Sequence, residues 1–354
     1  MSRYLNARYQ SLTPYTPGEQ PQDMRYVKLN TNESPYPPAP GVAEAAAEEA
    51  GRLQLYCDPT AAKLRDALAA RYGVKRANVY VANGSDDILY FAFMAFAGNG
   101  APAYFPDISY GFYKVYCELL GVSYTQIPLK RDFSVDPADY MGLDGMIAIA
   151  NPNAPTGLAL SVDSIEAILK WNPHKVVLID EAYVDFGAQS CLPLVAKYDN
   201  LLVVQTFSKS RSMAGARLGF AIASEGLIDD LNRVKFSTNP YDINRMTQAA
   251  GIAALAADDY NLDNCKRIMQ TREETARALR ALGFEVLPSQ ANFLFARSDK
   301  IEGGALYRAL KERGVLIRHF DAPRISDYNR ITIGKPEEMD VLLEKIGEIL
   351  AASH

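Results

Sequence analysis

Histidine, cysteine and tryptophan are scarce in this sequence, which holds 3, 4 and 1 of them among 354 residues. The histidines are His174, His319 and the terminal His354, and they share no motif, so a histidine triad or histidine metal cluster is not expected. The four cysteines stand far apart without a CxxC pair, at Cys57, Cys117, Cys191 and Cys265. Such spacing is typical of reduced thiols in the cytoplasm and argues against a zinc site. The chemistry must therefore rest on other side chains, and no metal is predicted.

An excess of positive charge is also lacking, since the formal net charge is -5 and no basic cluster with interleaved aromatics occurs. A nucleic-acid-binding surface is therefore not expected. No apolar run approaches the roughly 18 residues that a membrane-spanning helix needs. The first residues, MSRYLNARYQ, also lack the apolar centre of a signal peptide. We expect a cytoplasmic protein that binds neither nucleic acid nor membranes.

The composition that is present, with 48% apolar and 22% charged residues, is typical of a globular protein. A chain of 354 residues exceeds what one hydrophobic core usually supports, so two domains are expected. Residues 1–40 are rich in proline and tyrosine, which predicts an extended arm. We place a large domain over 41–245 and a smaller α+β domain over 246–354, on which the arm packs.

Apolar runs that alternate with helical patterns organise the large domain. Helices are predicted over 42–53 and 60–73, and a strand over 79–82 leads into a very apolar helix from about Asp86. Several later strands are apolar throughout, which indicates a mostly parallel sheet with helices on both faces, an α/β fold. Beyond this sheet, one long helical region is predicted over 243–282.

Polar segments follow the predicted strands at 83–85, 151–157, 180–183 and 206–209. In parallel sheets, ligands bind beyond the carboxyl ends of the strands. We therefore expect these four segments to converge on one site.

Lys209 is the strongest candidate for the chemistry, because it directly follows a buried strand that ends near Thr206. Removal of water from an amine disfavours its charged form, and a neutral amine is what a Schiff-base nucleophile needs. Eight residues on lies Arg217. The alternative is that Lys209 and Arg217 are two solvated cations on a loop, which is the commoner situation for such residues.

Two further features point to an anion and a cation at the same edge. Gly84 and Ser85 open a helix whose free backbone N–H groups, together with Arg217, would bind a phosphate. The alternative is an ordinary N-cap by Ser85 or Asp86. Asp180 ends a buried strand, and burying a charged carboxylate there costs free energy unless a cation lies next to it. That cation is either a pyridinium N–H of a ligand or one of Lys209 and Arg217.

At these positions the chain resembles the fold-type I aminotransferases, enzymes that use pyridoxal phosphate. The resemblance extends over nearly the whole chain and is carried by NGSD at 83–86, Tyr110, NPNAPTG at 151–157, Asp180-x-x-Tyr183, Ser208-Lys209, Arg217 and Arg330. It implies a seven-stranded-type, mostly parallel sheet between helices, plus a smaller α+β domain. The segments PYTPGEQ, KLNTNESPYPP and NPYDIN are similar to the branch of this family that acts on histidinol phosphate.

For the cofactor, the resemblance implies specific roles. Lys209 would hold pyridoxal phosphate as a Schiff base and then act as general base and acid. Asp180 would keep the pyridine nitrogen protonated, Tyr183 would donate to the ring's 3-oxygen, and Tyr110 would stack on the ring. The residues around the phosphate would be Gly84, Ser85, Asp86, Thr206, Ser208 and Arg217.

For substrates and assembly, the resemblance implies an amino transfer between L-histidinol phosphate and 2-oxoglutarate. Arg330 would bind the carboxylate of glutamate, and Arg318 with Arg330 the phosphate of histidinol phosphate. The rest of the substrate pocket would be formed by Tyr15, Asn32, Tyr241 and Asn292. Tyr56 would reach the cofactor phosphate of a neighbouring subunit, which implies a homodimer. A threonine-phosphate decarboxylase and an aromatic amino-acid aminotransferase remain alternatives on the same scaffold.

One residue departs from the family pattern. The usual loop is NPNNPTG, whose fourth residue is an asparagine that also donates to the 3-oxygen, whereas this chain has Ala154 there. Asn153 is adjacent, but consecutive residues of an extended loop point to opposite sides. We therefore expect Tyr183 to make this hydrogen bond alone or together with water.

Overall fold

The computed structural model describes residues 2–352. Within them the β-strands are β1 (Val27–Lys28), β2 (Val79–Ala82), β3 (Ala103–Pro106), β4 (Tyr124–Ile127), β5 (Met146–Ala150), β6 (Val177–Asp180), β7 (Leu201–Thr206), β8 (Gly219–Ala223), β9 (Phe284–Val286), β10 (Phe293–Ser298), β11 (Val315–Leu316), β12 (Arg318–His319) and β13 (Asn329–Thr332).

The α-helices of the same residues are α1 (Val42–Ala50), α2 (Ala62–Tyr72), α3 (Ser85–Phe96), α4 (Phe112–Leu120), α5 (Val162–Trp171), α6 (Glu225–Thr238), α7 (Arg245–Ala256), α8 (Asp258–Ala281), α9 (Gly303–Glu312) and α10 (Pro336–Ala352). None of them is long and apolar enough to cross a membrane.

A seven-stranded sheet in the order β2-β8-β7-β6-β5-β3-β4 forms the centre of the fold. Strand β8 pairs antiparallel with both of its neighbours, and the other pairs in the sheet are parallel. The mostly parallel α/β sheet predicted from the sequence is confirmed. The carboxyl ends of β5, β6 and β7 therefore meet at one edge.

Both faces of this sheet are buried, which explains why its strands are apolar throughout. Along β7, Leu202 and Val204 join one hydrophobic cluster, while Leu201 and Val203 join the cluster on the opposite face. Side chains alternate between the two faces of a strand, so a strand covered on both sides needs apolar residues at consecutive positions.

A second sheet of four strands has the order β12-β13-β10-β9 and is antiparallel throughout. Nearby, β1 of the N-terminal segment pairs parallel with β11, which sets Val27 opposite Val315 and Lys28 opposite Leu316. The N-terminal segment is thereby joined to the C-terminal part of the chain by backbone hydrogen bonds.

The long helical region predicted over roughly 243–282 consists of two helices, α7 and α8, which meet at Ala257, where the backbone leaves the helical conformation at φ -109° and ψ 35°. Asp258 opens α8, and its carboxylate pairs with Arg71 and Arg211. A negative charge is favoured at a helix N-terminus, and these long-range partners cannot be read from local periodicity.

Candidate active site

A cleft of about 710 Å³ lies at the carboxyl edge of the large sheet. Thirteen of the predicted site residues line it: Tyr15, Asn32, Ser85, Asp86, Tyr110, Asp180, Tyr183, Thr206, Ser208, Lys209, Arg217, Arg318 and Arg330. Residues from the N-terminal segment, the seven-stranded sheet and the four-stranded sheet thus face one space.

Lys209 follows β7 and extends its amine into this cleft. Its Nζ donates to the carbonyl of Thr31 at 3.4 Å and lies 5.9 Å from the centre of the Tyr183 ring. Burial and the neighbouring Arg330 guanidinium lower the pKa of Lys209 to about 8, while the carboxylates of Asp86 and Glu33 act in the opposite direction. The amine is therefore far more often neutral near pH 7 than an ordinary lysine is.

The N-terminus of α3 forms an anion-binding site beside this amine. Gly84 precedes the helix at φ 85°, and no side chain caps the first turn, so the N-cap alternative for Ser85 or Asp86 is not what the structure contains. An added Cβ at Gly84 would lie 2.7 Å from Nη2 of Arg217. At Gly219, a Cβ would lie 2.5 Å from the Gly84 carbonyl carbon. Because both positions are glycine, the N-terminus of α3, strand β8 and the Arg217 guanidinium can lie close together.

Asp86 connects this anion site to Tyr110. Its carboxylate accepts from Nη2 of Arg217 at 2.7 Å and from the Tyr110 hydroxyl at 2.7 Å. Because a carboxylate repels phosphate, its contact with Arg217 is better suited to orienting the guanidinium than to binding the anion directly.

Asp180 stands at the end of β6 and is 5% exposed. Its carboxylate accepts from the Tyr113 hydroxyl at 3.1 Å and from the backbone N–H of Ala182 at 3.1 Å. Burial raises the pKa of Asp180 to about 6 in spite of these two bonds. A cationic N–H placed against this carboxylate would favour its ionised form and lower that pKa.

Arg318 and Arg330 lie on the neighbouring strands β12 and β13 and contribute two guanidinium groups to the cleft. Arg318 donates to the carbonyls of Thr16 and Pro17 at 2.9 and 3.2 Å. Arg330 donates to the Asn30 carbonyl at 3.0 Å, and its buried Nε has no partner among the described residues. An unpaired buried donor of this kind is suited to an anionic ligand.

Four predicted site residues do not line the cleft. Gly84 lies next to Arg217, which does line the cleft, and Asn292 lies behind the cleft, where its Nδ2 donates to the Asn32 carbonyl at 3.0 Å. Tyr56 and Tyr241 stack on each other with ring centres 4.6 Å apart, and they are 81% and 45% exposed. The predicted reach of Tyr56 concerns another subunit, so its position in this chain does not test it.

Sequence reasoning missed Tyr113, the side-chain partner of Asp180. The available signal was the spacing of Tyr110, Tyr113 and Tyr116, since tyrosines three apart near a helix reach the same neighbours. Tyr116 also contacts the site, because its hydroxyl donates to the backbone carbonyl of Asp86 at 3.1 Å.

Comparison with known proteins identifies the family. Residues 25–346 match the family model described as "Aminotransferase class I and II". The chain belongs to the class I and II aminotransferase family.

Relatives that match this chain over nearly its full length carry a more specific name. A histidinol-phosphate aminotransferase of Chromohalobacter salexigens is 51% identical over 98% of this chain and 99% of its own. A histidinol-phosphate aminotransferase of Brachyspira hyodysenteriae is 49% identical over 99% of both chains. The structure of histidinol-phosphate aminotransferase from Sinorhizobium meliloti with pyridoxal-5'-phosphate covers 100% of this chain and 99% of its own, with a TM-score of 0.90 at 24% identity.

Class I and II aminotransferases depend on pyridoxal phosphate, and the residues of the cleft fit this cofactor. Lys209, whose pKa is lowered, can react with the aldehyde of the cofactor. The N-terminus of α3, which no side chain caps, can bind the phosphate together with Arg217. The buried Asp180 carboxylate suits a pyridinium nitrogen.

Proposed function

We propose that this chain transfers an amino group between L-histidinol phosphate and 2-oxoglutarate, a step of histidine biosynthesis, with pyridoxal phosphate held by Lys209. The observation that carries the proposal is the presence of Lys209 in one cleft with Arg217 beside the large sheet and Arg318 and Arg330 on the small one. Both substrates are anionic, and guanidinium groups bind phosphate and carboxylate in fixed orientations. The names of the full-length relatives support histidinol phosphate as the amino donor.

In this proposal the cofactor, when bound, supplies an aldehyde that condenses with amines and a ring that accepts electrons. Lys209 Nζ holds and moves the proton at the reacting carbon, for which a pKa of about 8 is well matched to neutral pH. Asp180 would hold a negative charge next to the ring nitrogen. Tyr183 would donate from its hydroxyl to the 3-oxygen of the ring, and Tyr110 would stack on the ring.

Around the phosphate we assign Gly84 and Ser85 to backbone donation and Ser208 to hydroxyl donation, with Thr206 beside it. Thr206 Oγ1 donates to Ser208 Oγ at 3.0 Å and both side chains line the cleft, so Thr206 leaves the Ser208 hydrogen available to the phosphate. Arg217 supplies the charge, and Asp86 acts through Arg217 by orienting its guanidinium.

For the substrate, we assign the amino acid carboxylate to Arg330 and the phosphate of histidinol phosphate to Arg318 with Arg330. Tyr15 contributes apolar surface, Asn32 lines the same wall, and Asn292 supports it from behind. Loss of a bidentate charged contact costs about 2–5 kcal/mol, so Arg330→Ala should raise the KM of both substrates more than about tenfold.

The test compares amino donors and separates the two kinds of arginine. Wild-type protein is mixed with 2-oxoglutarate and either histidinol phosphate, threonine phosphate or tyrosine, and glutamate and carbon dioxide are measured. We expect glutamate with histidinol phosphate at the highest kcat/KM, and no carbon dioxide from threonine phosphate. Carbon dioxide release, or a preference for tyrosine, would contradict the substrate assignment.

Arg217→Ala should recover activity on addition of cofactor, whereas Arg330→Ala should not.

We also propose that the chain works as a homodimer in which Tyr56 reaches the cofactor phosphate of its partner. Leu53, Leu55 and Tyr56 are large exposed side chains within four consecutive positions, and Tyr56 stacks on Tyr241. Large apolar side chains exposed side by side are typical of an interaction surface.

The division into an arm over 1–40, a cofactor-binding domain over 41–245 and a small domain over 246–354 stays a proposal. It is supported by the separate seven-stranded and four-stranded sheets and by the pairing of β1 with β11. We further propose that the enzyme acts in the cytoplasm, which is supported by four cysteines that form no disulfide.

A further inference from the structure

The Tyr183 hydroxyl group accepts a hydrogen bond from Nδ2 of Asn32 at 3.0 Å. An amide nitrogen only donates, so this bond uses the oxygen of the hydroxyl and leaves its hydrogen uncommitted. Within residues 2–352 this is the one hydrogen bond of the Tyr183 hydroxyl. Since Tyr183 lines the cleft, its hydrogen is available to an acceptor there.

Thr332 fixes which way the Asn32 amide points. Its Oγ1 accepts the backbone N–H of Asn32 at 3.0 Å and donates to Oδ1 of the same residue at 3.0 Å. A hydroxyl has a single hydrogen, and the backbone N–H needs an acceptor, so that hydrogen goes to Oδ1. The Nδ2 group is therefore the one that faces Tyr183.

Asn32 itself is held on both sides. It is 1% exposed, lies in the left-handed region at φ 56°, and receives a hydrogen bond on its carbonyl from Asn292 at 3.0 Å. Asparagine tolerates this conformation better than most residues do. In addition, the Thr332 N–H donates to the Leu29 carbonyl at 3.0 Å, which fixes the N-terminal segment against β13.

The loop at 151–157 adds no second donor next to Tyr183. Ala154 is buried in the cleft wall and has no polar side-chain atom. Asn153 is fully engaged elsewhere, since its Oδ1 accepts from Ser109 at 2.9 Å and its Nδ2 donates to the Ile108 carbonyl and to Thr156, each at 3.0 Å. The donor on this side is the Tyr183 hydroxyl.

We propose that Asn32, backed by Thr332, is a positioning residue that holds the Tyr183 hydroxyl hydrogen toward the 3-oxygen of the bound cofactor. This rests on the proposed function and gives Asn32 a role distinct from substrate binding. The role joins three parts of the chain, because Asn32 follows β1, Thr332 ends β13 and Tyr183 follows β6.

The charged groups that face Tyr183 are Arg330, Asp180, Asp86 and Lys209. Burial raises the pKa of Tyr183, so its hydroxyl keeps its hydrogen across the neutral range. Substitutions at Asn32 and Thr332 leave all four charges in place, so a change they cause reports on the hydrogen bond.

The test follows the yellow-to-ultraviolet absorbance transition of the cofactor-loaded enzyme against pH. A donor to the 3-oxygen stabilises its anionic form and lowers the pH midpoint of this transition. We expect Asn32→Ala and Thr332→Val to raise the midpoint by up to about one pH unit. Thr332→Ser keeps the hydroxyl and is the matched control, which should titrate like the wild type.

A double substitution separates positioning from a general structural effect. Tyr183→Phe should raise the midpoint by itself, and adding Asn32→Ala to it should cause no further shift. Wild-type midpoints in both Asn32→Ala and Thr332→Val, or a shift from Asn32→Ala that persists without the Tyr183 hydroxyl, would overturn the inference. A wild-type protein that shows no such transition would contradict the proposed function and this inference together.

Discussion

The Lys209 amine has a lowered pKa because burial disfavours its charged form and Arg330 repels it. Its folded value of about 8 lies below the ordinary 10.5, so the neutral fraction rises as the pH passes 8. We expect a small amine-reactive reagent to modify Lys209 of the cofactor-free protein with a midpoint near pH 8, measured by peptide mass. A Lys209→Ala protein identifies the peptide, and a midpoint near 10.5 would contradict the assigned environment.

Ala154 gives a second prediction at the scale of a single residue. Restoring the usual asparagine by Ala154→Asn should add a donor to the 3-oxygen and shift the absorbance transition toward acid. One hydrogen bond to a charged acceptor is worth about 1.5–3 kcal/mol, so a shift on the order of one pH unit is expected. A spectrophotometric titration of both proteins measures it. Coincident curves would mean that another group already donates there; Asn153 is not that group, since its amide is engaged.

At the scale of the element, the start of α3 depends on Gly84, and the chain offers a matched control at the start of α1. Gly84 and Gly41 both precede a helix, at φ 85° and 86°. An alanine Cβ at Gly84 meets Arg217 at 2.7 Å, whereas one at Gly41 meets nothing within 4 Å. Gly41→Ala should cost about 1–2 kcal/mol of folding stability through its left-handed backbone, and Gly84→Ala should cost at least as much, because its ψ of 168° lies in a region that essentially only glycine adopts.

Only Gly84→Ala should also weaken the binding of pyridoxal phosphate, because only there is the anion site disturbed. Equilibrium dialysis of the cofactor together with thermal unfolding of both variants distinguishes the two effects. Equal cofactor affinity in Gly84→Ala and Gly41→Ala would contradict the assignment of this helix start to the phosphate.

Elements with a strong local signal were predictable from the sequence. Strands such as β5 and β7 are continuous apolar runs, and β7 ends at Thr206 as expected. The convergence of polar segments on one cleft also followed from the parallel arrangement, because strand ends share an edge. The break at Ala257 was not predictable, since it depends on partners far away in the chain, and the tyrosine spacing did not by itself show that Tyr113 would contact Asp180. The Asn32–Tyr183 contact spans 151 positions and has no local signature.

At the scale of the whole molecule, the proposed dimer makes a prediction about mixed subunits. If Tyr56 serves the partner's site, Tyr56→Ala protein and Lys209→Ala protein complement each other. A mixed dimer then has one site with Lys209 from one subunit and Tyr56 from the other. After unfolding and refolding together, random pairing should restore about a quarter of the wild-type sites.

Activity and sedimentation of the refolded mixture measure this outcome. The separately refolded proteins, combined only afterwards, are the control and should stay at the sum of their own activities. A monomer in sedimentation, or a co-refolded mixture no more active than this control, would contradict the shared site.

Chemical trapping shows which lysine holds pyridoxal phosphate, and we expect it to be Lys209. The cofactor-loaded enzyme is reduced with borohydride, digested, and its peptides are weighed by mass spectrometry. Lys235, which is 3% exposed and paired with Asp242 at 2.7 Å, is a second buried lysine and serves as the internal control. We expect the mass of the reduced cofactor on the peptide that contains Lys209 and on no other. Attachment at Lys235 or at any lysine other than Lys209, or no attachment at all, would contradict it.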